Sequence, residues 1–447
     1  MIARFFFDCN HSGLSLRNFF RDMFQTEEMC YNEAIDLHLL KGSVSMLSGK
    51  TILIGVTGGI AAYKIPNLVS MLVKQHADVH VILTKGGEQF IPPLPFEALT
   101  GNRVLTDTFE RTQPPEIHHI ALAKKADLML IAPASADIIG KLANGIADDM
   151  LTSTVLPCRC PILFSPAMND RMYANPIVQD NMEKLRRYGF IQIDAAVGHL
   201  ACGDDGKGKM PEPAELYQYI ERELACEKDM TGMKLLVTAG ATQEAIDPVR
   251  YITNHSSGKM GYAIAKAAML RGAEVTLVSG QTAIAPPPFV KVVKITSARD
   301  MFEAVTAAAP EQDIIIKAAA VADYTPEMVA DQKIKKKDGD MSIPLKRTDD
   351  ILAWLGKNRT LGQCLPGQFL CGFSMETENM LENSRAKLAR KGIDLIAANN
   401  LKVEGAGFKG DTNVLTLISA DEEIELPIMS KEKAAMQLLD QILKMKK

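Results

Sequence analysis

Asn254-His255-Ser256-Ser257-Gly258-Lys259-Met260-Gly261 decides how this chain is read. The apolar run Leu235 to Thr238 before it reads as a buried parallel strand. The alanine-rich stretch Tyr262 to Arg271 after it reads as a helix. A polar turn with two glycines therefore stands where a strand hands over to a helix. In an open α/β sheet, ligands bind at the carboxyl ends of strands. Free N–H groups at a helix start favour an anion there, and glycine lets a phosphate approach the main chain. A helix cap explains one serine. It leaves the Asn, the His, the other Ser and both Gly unexplained, so the stretch is read as a nucleotide- or phosphate-binding turn. Gly58-Gly59, far upstream, is a second turn of the same general kind. Two ligand-binding α/β units in tandem are expected.

Around the organising turn the pattern continues. Strands are expected at Glu274–Ser279, Val290–Ile295, Asp313–Ala318, Phe369–Ser374 and Asp394–Ala398, with helices near Ala298–Ala308 and through Lys387 and Lys391. Ala320-Val321-Ala322-Asp323-Tyr324 is a further strand-end turn. The basic run Lys333 to Lys337 could reach phosphates on the same rim or simply be a solvated face. Two antiparallel strands near Val414–Ile418 and Glu423–Leu426 and a helix from Lys431 to Met445 close the chain.

The first half alternates in the same way. Strand Thr51–Thr57 leads into Gly58-Gly59 and a helix to about Lys74. Strands follow at Val79–Thr84, Leu128–Ala132, Ile162–Ser165 and Phe190–Ile193. Alternating strands and helices mean a parallel sheet covered on both faces. Right-handed crossovers put the turns after the strands on one edge, so Gly58, Gly59, Thr84, Ser135 and Asn169 converge there. The G-x-G-x-x-G fingerprint of a dinucleotide site is missing, and a mononucleotide such as FMN fits this rim better. His118-His119 stand at an element boundary. Cys202 lies in the glycine- and charge-rich stretch Ala201 to Met210, expected to be a mobile loop that closes over a ligand. An ordinary thiol has a pKa near about 8.5, so Cys202 could donate a proton at neutral pH. Ala225 to Gly232, short and charged, is the expected domain boundary.

Composition bounds the rest. The chain has 447 residues, 47% of them hydrophobic and 23% charged, and a formal net charge of -4. That fits a globular protein of two to three domains and gives no reason to expect nucleic acid or an anionic membrane as partner. No apolar run approaches the roughly 18 residues of a membrane span. Eight scattered cysteines are not a disulfide framework, and a cytoplasmic protein is expected. Cys158 and Cys160 form a lone C-x-C, read as reduced core or surface thiols. Residues 1–47 are an irregular, aromatic-rich extension, and Met46 is the expected functional start.

Taken together, these motifs resemble the bacterial bifunctional phosphopantothenoylcysteine decarboxylase / phosphopantothenate–cysteine ligase family of coenzyme A biosynthesis. Gly58 to Lys64, His119-Ile120, Pro133 to Asp137, Pro166 to Asn169 and Ala201-Cys202-Gly203 resemble the decarboxylase half. Asn254 to Gly261, Ala320 to Tyr324 and Lys333 to Lys336 resemble the ligase half. The resemblance implies a flavodoxin-like, FMN-dependent decarboxylase domain over residues 48–228 and a Rossmann-like, CTP-dependent ligase domain over 229–447. It implies His119 as catalytic histidine, Asn169 on the substrate carboxylate and Cys202 as proton donor of a substrate lid. Gly58, Gly59, Thr84 and Ser135 would hold FMN. In the ligase half it implies Asn254 on an acyl-cytidylate and Lys333 on the phosphates. Asp323, Thr348, Asp349, Asp350, Ile351, Phe373, Lys387 and Lys391 would contact CTP, with Mg²⁺ accompanying it. The substrates would be 4′-phosphopantothenate, cysteine and CTP, and the assembly decarboxylase trimers and ligase dimers. The chain departs from the family pattern at Thr348-Asp349, where Asn-Pro is usual, at Lys209, where arginine is expected, and at Ala241, where proline is common. A flavin-binding regulatory protein is the alternative, against which His119, Asn169 and Cys202 all stand. A nicotinamide oxidoreductase lacks its glycine fingerprint here.

Overall fold

The computed structural model describes residues 46–109, 117–199, 203, 205–336, 341–376, 380–400 and 410–446. The expectations for residues 1–45, for Lys337 and for Cys202 lie outside them. The chain divides into two compact units, Met1–Phe190 with Val197–Lys209 and Ile191–Ala196 with Met210–Lys447.

In the first unit, β1 (Thr51–Val56), β2 (Asp78–Leu83), β3 (Leu128–Ala134) and β4 (Ile162–Pro166) are parallel and lie in the order β2-β1-β3-β4. Every residue of β1, β3 and β4 is buried, which is why these strands read as continuous apolar runs rather than alternating ones. The expected helix from Ile60 is a 3₁₀ turn, Ile60–Lys64, followed by α1 (Ile65–Lys74). Pro66 fits the first turn of α1, where its missing N–H costs no bond. Ile65, Leu68, Val69 and Leu72 make its buried stripe. Then come α2 (His118–Lys125), α3 (Ala136–Ala143), α4 (Met150–Val155), α5 (Asp170–Ala174) and α6 (Pro176–Arg187). The strand expected over Phe190–Ile193 is reduced to Ile191–Gln192. β5 (Ala196–His199) and β6 (Asp205–Lys209) form a two-stranded ribbon. Part of the expected mobile loop is thus a strand.

The second unit holds a larger sheet. Its parallel strands are β7 (Lys234–Ala239), β10 (Glu274–Ser279), β11 (Lys291–Lys294), β12 (Ile314–Lys317), β15 (Phe369–Glu376) and β16 (Leu395–Asn400). Two small hairpins lie outside it: β8 (Gln243–Ala245) with β9 (Tyr251–Thr253), and β13 (Tyr324–Pro326) with β14 (Leu345–Arg347). Antiparallel β17 (Leu415–Ile418) and β18 (Glu423–Glu425) complete the sheet, whose order is β11-β10-β7-β12-β15-β16-β17-β18. The helices are α7 (Pro213–Leu224), α8 (Lys259–Leu270), α9 (Ala298–Ala308), α10 (Ile351–Thr360), α11 (Met380–Lys391) and α12 (Lys431–Lys446).

Successive residues of β7 face opposite layers. Leu235 and Val237 join Ile264, Ala268, Leu438 and Ile442 in one core, and Leu236 joins Met301, Val305, Leu352 and Leu355 in the other. Each fully buried branched aliphatic side chain contributes about 1.5–3 kcal/mol, so both helix layers are firmly held. Both sheets reverse direction beside their first strand: between β1 and β3, and between β7 and β12. At such a switch point the turns on either side diverge and leave a crevice at the carboxyl edge.

Candidate functional site

In the first unit, buried Thr57 ties the two sides of the switch point together. Its hydroxyl donates to Pro133 O (2.7 Å) and accepts from the Ser135 N–H (3.1 Å). Gly58 rests on Gly86, where an added Cβ would stand 3.1 Å from Gly86 Cα. A Cβ on Gly87 would meet Val56 O at 2.6 Å, so this turn tolerates only glycine without a shift. The remaining polar side chains cap helices. Thr84 Oγ1 accepts from the Gly87 N–H (3.1 Å), Ser135 Oγ from Ile138 (3.4 Å) and Asn169 Oδ1 from Arg171 (3.0 Å). Gly58, Gly59, Thr84, Ser135 and Asn169 therefore do share one edge, and they present hydroxyls, amides and bare backbone without a formal charge.

His118 and His119 are the first two residues of α2, at the expected element boundary. That helix ends just before β3 begins, so its first turn stands toward the carboxyl edge. β6 presses on the Asn169 turn: the Met168 N–H donates to Gly208 O (3.0 Å). A Cβ on Gly208 would stand 2.3 Å from Met168 O, and one on Gly206 2.6 Å from Asp170 Cβ. Gly206 and Gly208 thus let β6 approach this turn closely.

The second rim is built differently. Gly258 begins α8 with a left-handed φ of 79°, and a Cβ there would lie 2.7 Å from Thr282 Cγ2. A Cβ on Gly261 would lie 2.7 Å from Ala239 Cβ. Two glycines let the helix start seat directly on the end of β7. Asn254 Nδ2 donates to Ala320 O (3.3 Å), joining the organising turn to the turn after β12. That turn is fixed by Thr238 and Thr242, whose hydroxyls accept from the Ala319 (3.1 Å) and Ala322 (3.0 Å) N–H groups.

Two cavities open here. One, of about 440 Å³, is lined by Asn254, Ser256, Ser257, Lys259, Asn399 and Lys431 among others. The other, of about 410 Å³, is lined by Arg347, Thr348, Asp349, Asp350, Ile351 and Lys391. Lys317, Val321, Asp323, Phe373 and Lys387 border both. The departure at Thr348 is locally accommodated: its hydroxyl donates to Ala322 O (2.7 Å) and its N–H to Asp323 O (3.0 Å). Asp350 caps α10 through the Ala353 N–H (3.1 Å) and pairs with Lys391 (2.9 Å). Burial works against its charge, but Lys391 and the cap hold its carboxyl below the ordinary range.

Lys317, at the last position of β12, is a residue that the motifs do not single out. Burial, with Lys391 and Lys387 beside it, pulls its ammonium down to about 8, partly offset by Asp350 and Asp323. The signal was a charged residue ending the apolar run Ile314-Ile315-Ile316. Asn399 is a second. Its Oδ1 is buried with no hydrogen-bond partner among the described residues, an open acceptor on the wall of the cavity that holds Asn254.

Lys333 is exposed and lines neither cavity. Its neighbour Ile334 is held instead. Buried Asp247 accepts from the Val249 and Arg250 N–H groups (2.8 Å each), from Arg250 Nε (3.0 Å) and from the Ile334 N–H (3.1 Å). Burial opposes this carboxylate's charge, but those donors outweigh it and hold its pKa at about 2.

The family model described as Flavoprotein matches residues 41–225, and that described as DNA/pantothenate metabolism flavoprotein C-terminal domain matches residues 230–445. The coenzyme A biosynthesis bifunctional protein CoaBC of Bacillus subtilis (strain 168) is 46% identical over 401 residues, covering 89% of this chain and 97% of that protein. Its Mycobacterium tuberculosis (strain ATCC 25618 / H37Rv) counterpart is 43% identical over 404 residues, covering 88% and 96%. The chain belongs to the CoaBC family. It is a bifunctional coenzyme A biosynthesis enzyme, with phosphopantothenoylcysteine decarboxylase and phosphopantothenate–cysteine ligase activities. Among solved structures, a CoaBC C-terminal domain shares 43% identity at a TM-score of 0.41, covering 48% of this chain and 96% of that one. The FMN-dependent cysteine decarboxylase SpaF shares 31% identity at a TM-score of 0.33, covering 36% and 91%.

The two halves of a CoaBC enzyme thus map onto two rims of opposite character. The flavoprotein half offers hydroxyls, amides and glycine backbone at its strand ends, and the second half lines its cavities with lysines. Among the described residues, no group of three or more His, Cys, Asp or Glu side chains forms a metal site, and no helix is long and apolar enough to cross a membrane.

Proposed function

We propose that residues 48–228 form an FMN-dependent decarboxylase domain and residues 229–447 a CTP-dependent ligase domain, with residues 1–47 as an extension. The observation that carries this reading is the pair of ligase cavities meeting at Lys317, with Asn254 on one side and Thr348 to Ile351 on the other. One compartment suits the acyl and phosphate chemistry, the other a base.

In the ligase half, the 4′-phosphopantothenate carboxylate attacks the α-phosphorus of CTP and pyrophosphate leaves. The cysteine amine then attacks the acyl carbon of the acyl-cytidylate, loses a proton and expels CMP. Activation is needed because a free carboxylate is a poor acyl donor. Lys317, Lys387 and Lys391 neutralise the phosphates, and Asn254 donates to the oxygens where charge develops. Asp323, Thr348, Asp349, Asp350, Ile351 and Phe373 bound the nucleotide. Lys333 would reach the phosphates from the loop anchored by Asp247. Mg²⁺ would arrive with the triphosphate, held by its oxygens and water.

In the decarboxylase half, the cradle of Gly58, Gly59, Thr84 and Ser135 fits FMN: bare backbone on one side and hydroxyl-capped helix starts on the other. FMN held there would supply the two-electron redox chemistry that makes carbon dioxide loss from the cysteinyl group possible. Asn169 orients the substrate carboxylate, His119 moves a proton at the reacting carbon, and Cys202 protonates the product from the lid. The enzyme would be cytoplasmic, with decarboxylase trimers and ligase dimers.

The test is a mass-resolved assay with 4′-phosphopantothenate, cysteine, CTP and Mg²⁺. The reading expects 4′-phosphopantetheine with one CMP and one pyrophosphate per turnover. Cytidine diphosphate in place of CMP would overturn the acyl-cytidylate route.

A further inference from the structure

Lys317 stands where the two ligase cavities meet and borders both. Strand alternation decides its direction. Ile314 and Ile316 of β12 pack in the core with Ile264 and Leu438, and Ile315 packs in the other core with Leu352 and Leu388. Lys317 shares the Ile315 face, so its side chain leaves the sheet toward α10 and α11. Its neighbours in register, Thr238 on β7 and Gly372 on β15, carry no charge. The charged groups that act on it are Lys391 and Lys387 of α11, Asp350 at the start of α10 and Asp323 in the turn after β12. Lys259 of α8 and Lys431 of α12 line the cavity that holds Asn254.

Three of these lysines are held by named acceptors. Lys391 pairs with Asp350 (2.9 Å), Lys259 pairs with Asp411 (2.6 Å), and Lys431 donates to Gly410 O. Lys317 makes no hydrogen bond and no ion pair among the described residues, and Asp350 and Asp323 act on it only at a distance. An ammonium held by an acceptor keeps its proton, whereas one withdrawn from water beside two like charges gives it up more readily. The two ligase steps ask opposite things of this place. Attack on CTP brings in a triphosphate, whose charge keeps Lys317 protonated. Once pyrophosphate leaves, most of that charge is gone while Lys387 and Lys391 remain. The second step must then take a proton from the cysteine nitrogen.

We propose that Lys317 is the general base of the second step, a role that rests on the acyl-cytidylate reading above. The cysteine amine nitrogen bonds to the acyl carbon, and the carbonyl electron pair moves to oxygen. The nitrogen, now positively charged, passes a proton to the neutral Lys317 Nζ. The carbonyl re-forms, the bond from the acyl carbon to the cytidylate oxygen breaks, and CMP leaves with that electron pair. One acyl-cytidylate, one cysteine and one neutral lysine give one amide, one CMP and one ammonium, which returns its proton to water.

The test is rapid-quench kinetics on the full-length protein with 4′-phosphopantothenate, cysteine, Mg²⁺ and saturating CTP, following pyrophosphate and amide separately. Lys317→Met should still release one pyrophosphate per site in the first turnover, which also shows that its ligase unit is folded. Acyl-cytidylate should then accumulate by mass, and its conversion to amide should be about 10²–10⁴-fold slower than in wild type. K317R keeps the charge, but its guanidinium gives up no proton, so it should be slowed as much. The inference is overturned if pyrophosphate release in Lys317→Met falls as far as amide formation, or if K317R restores the wild-type amide rate. Either result would leave Lys317 a phosphate contact only. Wild-type protein that releases cytidine diphosphate would instead remove the acyl-cytidylate reading itself, and this role with it.

Discussion

The two rims occupy the same topological place and solve opposite electrostatic problems. Each lies at the carboxyl edge where the strand order reverses. The first is built on uncharged groups: Thr57, Thr84, Ser135 and Asn169 supply hydroxyls and amides beside glycine turns. The second gathers Lys259, Lys317, Lys387, Lys391 and Lys431 around two adjoining cavities. A mononucleotide carrying a single phosphate can be held by a backbone cradle. A triphosphate that must lose pyrophosphate needs its growing negative charge met by fixed cations. One architecture therefore serves two chemistries because the side chains set around the carboxyl edge differ: in the second unit Lys317 ends a strand and Lys259, Lys387, Lys391 and Lys431 come from helices.

The sharpest way to break this comparison is Asn254→Asp. It sets a second negative charge beside the acyl-phosphate site and should lower ligation about 10²–10³-fold, the usual loss for one such donor. Decarboxylation of supplied 4′-phosphopantothenoylcysteine, followed by carbon dioxide release, should be unchanged. Asp247→Asn comes next. It places an N–H₂ against donors and frees the Ile334 loop, so ligase kcat should fall about 10²-fold through lost positioning of Lys333. Flavin absorbance should stay at the wild-type level, and an equal loss in both activities would refute the separation.

Lys317 gives a pH test with a defined sign. Its pKa is lowered to about 8, so it is charged below that pH and neutral above it. An anionic nucleotide should bind best below pH 8, and the KM for CTP should rise as pH passes through about 8. Lys317→Met should raise that KM about ten-fold at pH 7 and abolish its rise above pH 8. A rise that survives the substitution would assign the titration elsewhere. The smallest effect belongs to the first rim. Ser135→Ala removes the α3 cap and should cost about 1 kcal/mol. That would lower the melting of the flavoprotein unit by roughly 2–4 °C in calorimetry, with the ligase transition unmoved.

Much of this was legible in the sequence because parallel strands buried on both faces leave uninterrupted apolar runs. Leu235 to Thr238 and Ile314 to Ile316 fall inside β7 and β12 for that reason. Asn254 stood out because a polar turn interrupts those runs, whereas Thr348 to Ile351 was reached only through the resemblance to the family pattern. Lys317 did not stand out, since a single lysine at a strand end looks like any solvated terminus until Lys387 and Lys391 arrive from a distant helix. Asn399 was hidden for the same reason: that its side chain lines the cavity with an unmatched acceptor shows only in three dimensions. The early start of α8 at Lys259 was also missed, because Gly258 in a left-handed conformation ends the turn sooner than composition suggests. Lys333 shows the reverse, a motif residue that folding leaves outside both cavities.

The central claim is that the two rims act independently within one chain. It is tested most directly by giving His119→Asn protein 4′-phosphopantothenate, cysteine, CTP and Mg²⁺ and resolving the products by mass. The account predicts that 4′-phosphopantothenoylcysteine accumulates with its carboxylate intact, one CMP per molecule, at the wild-type ligation rate. Formation of 4′-phosphopantetheine at the wild-type rate, or loss of CMP production along with it, would contradict the account.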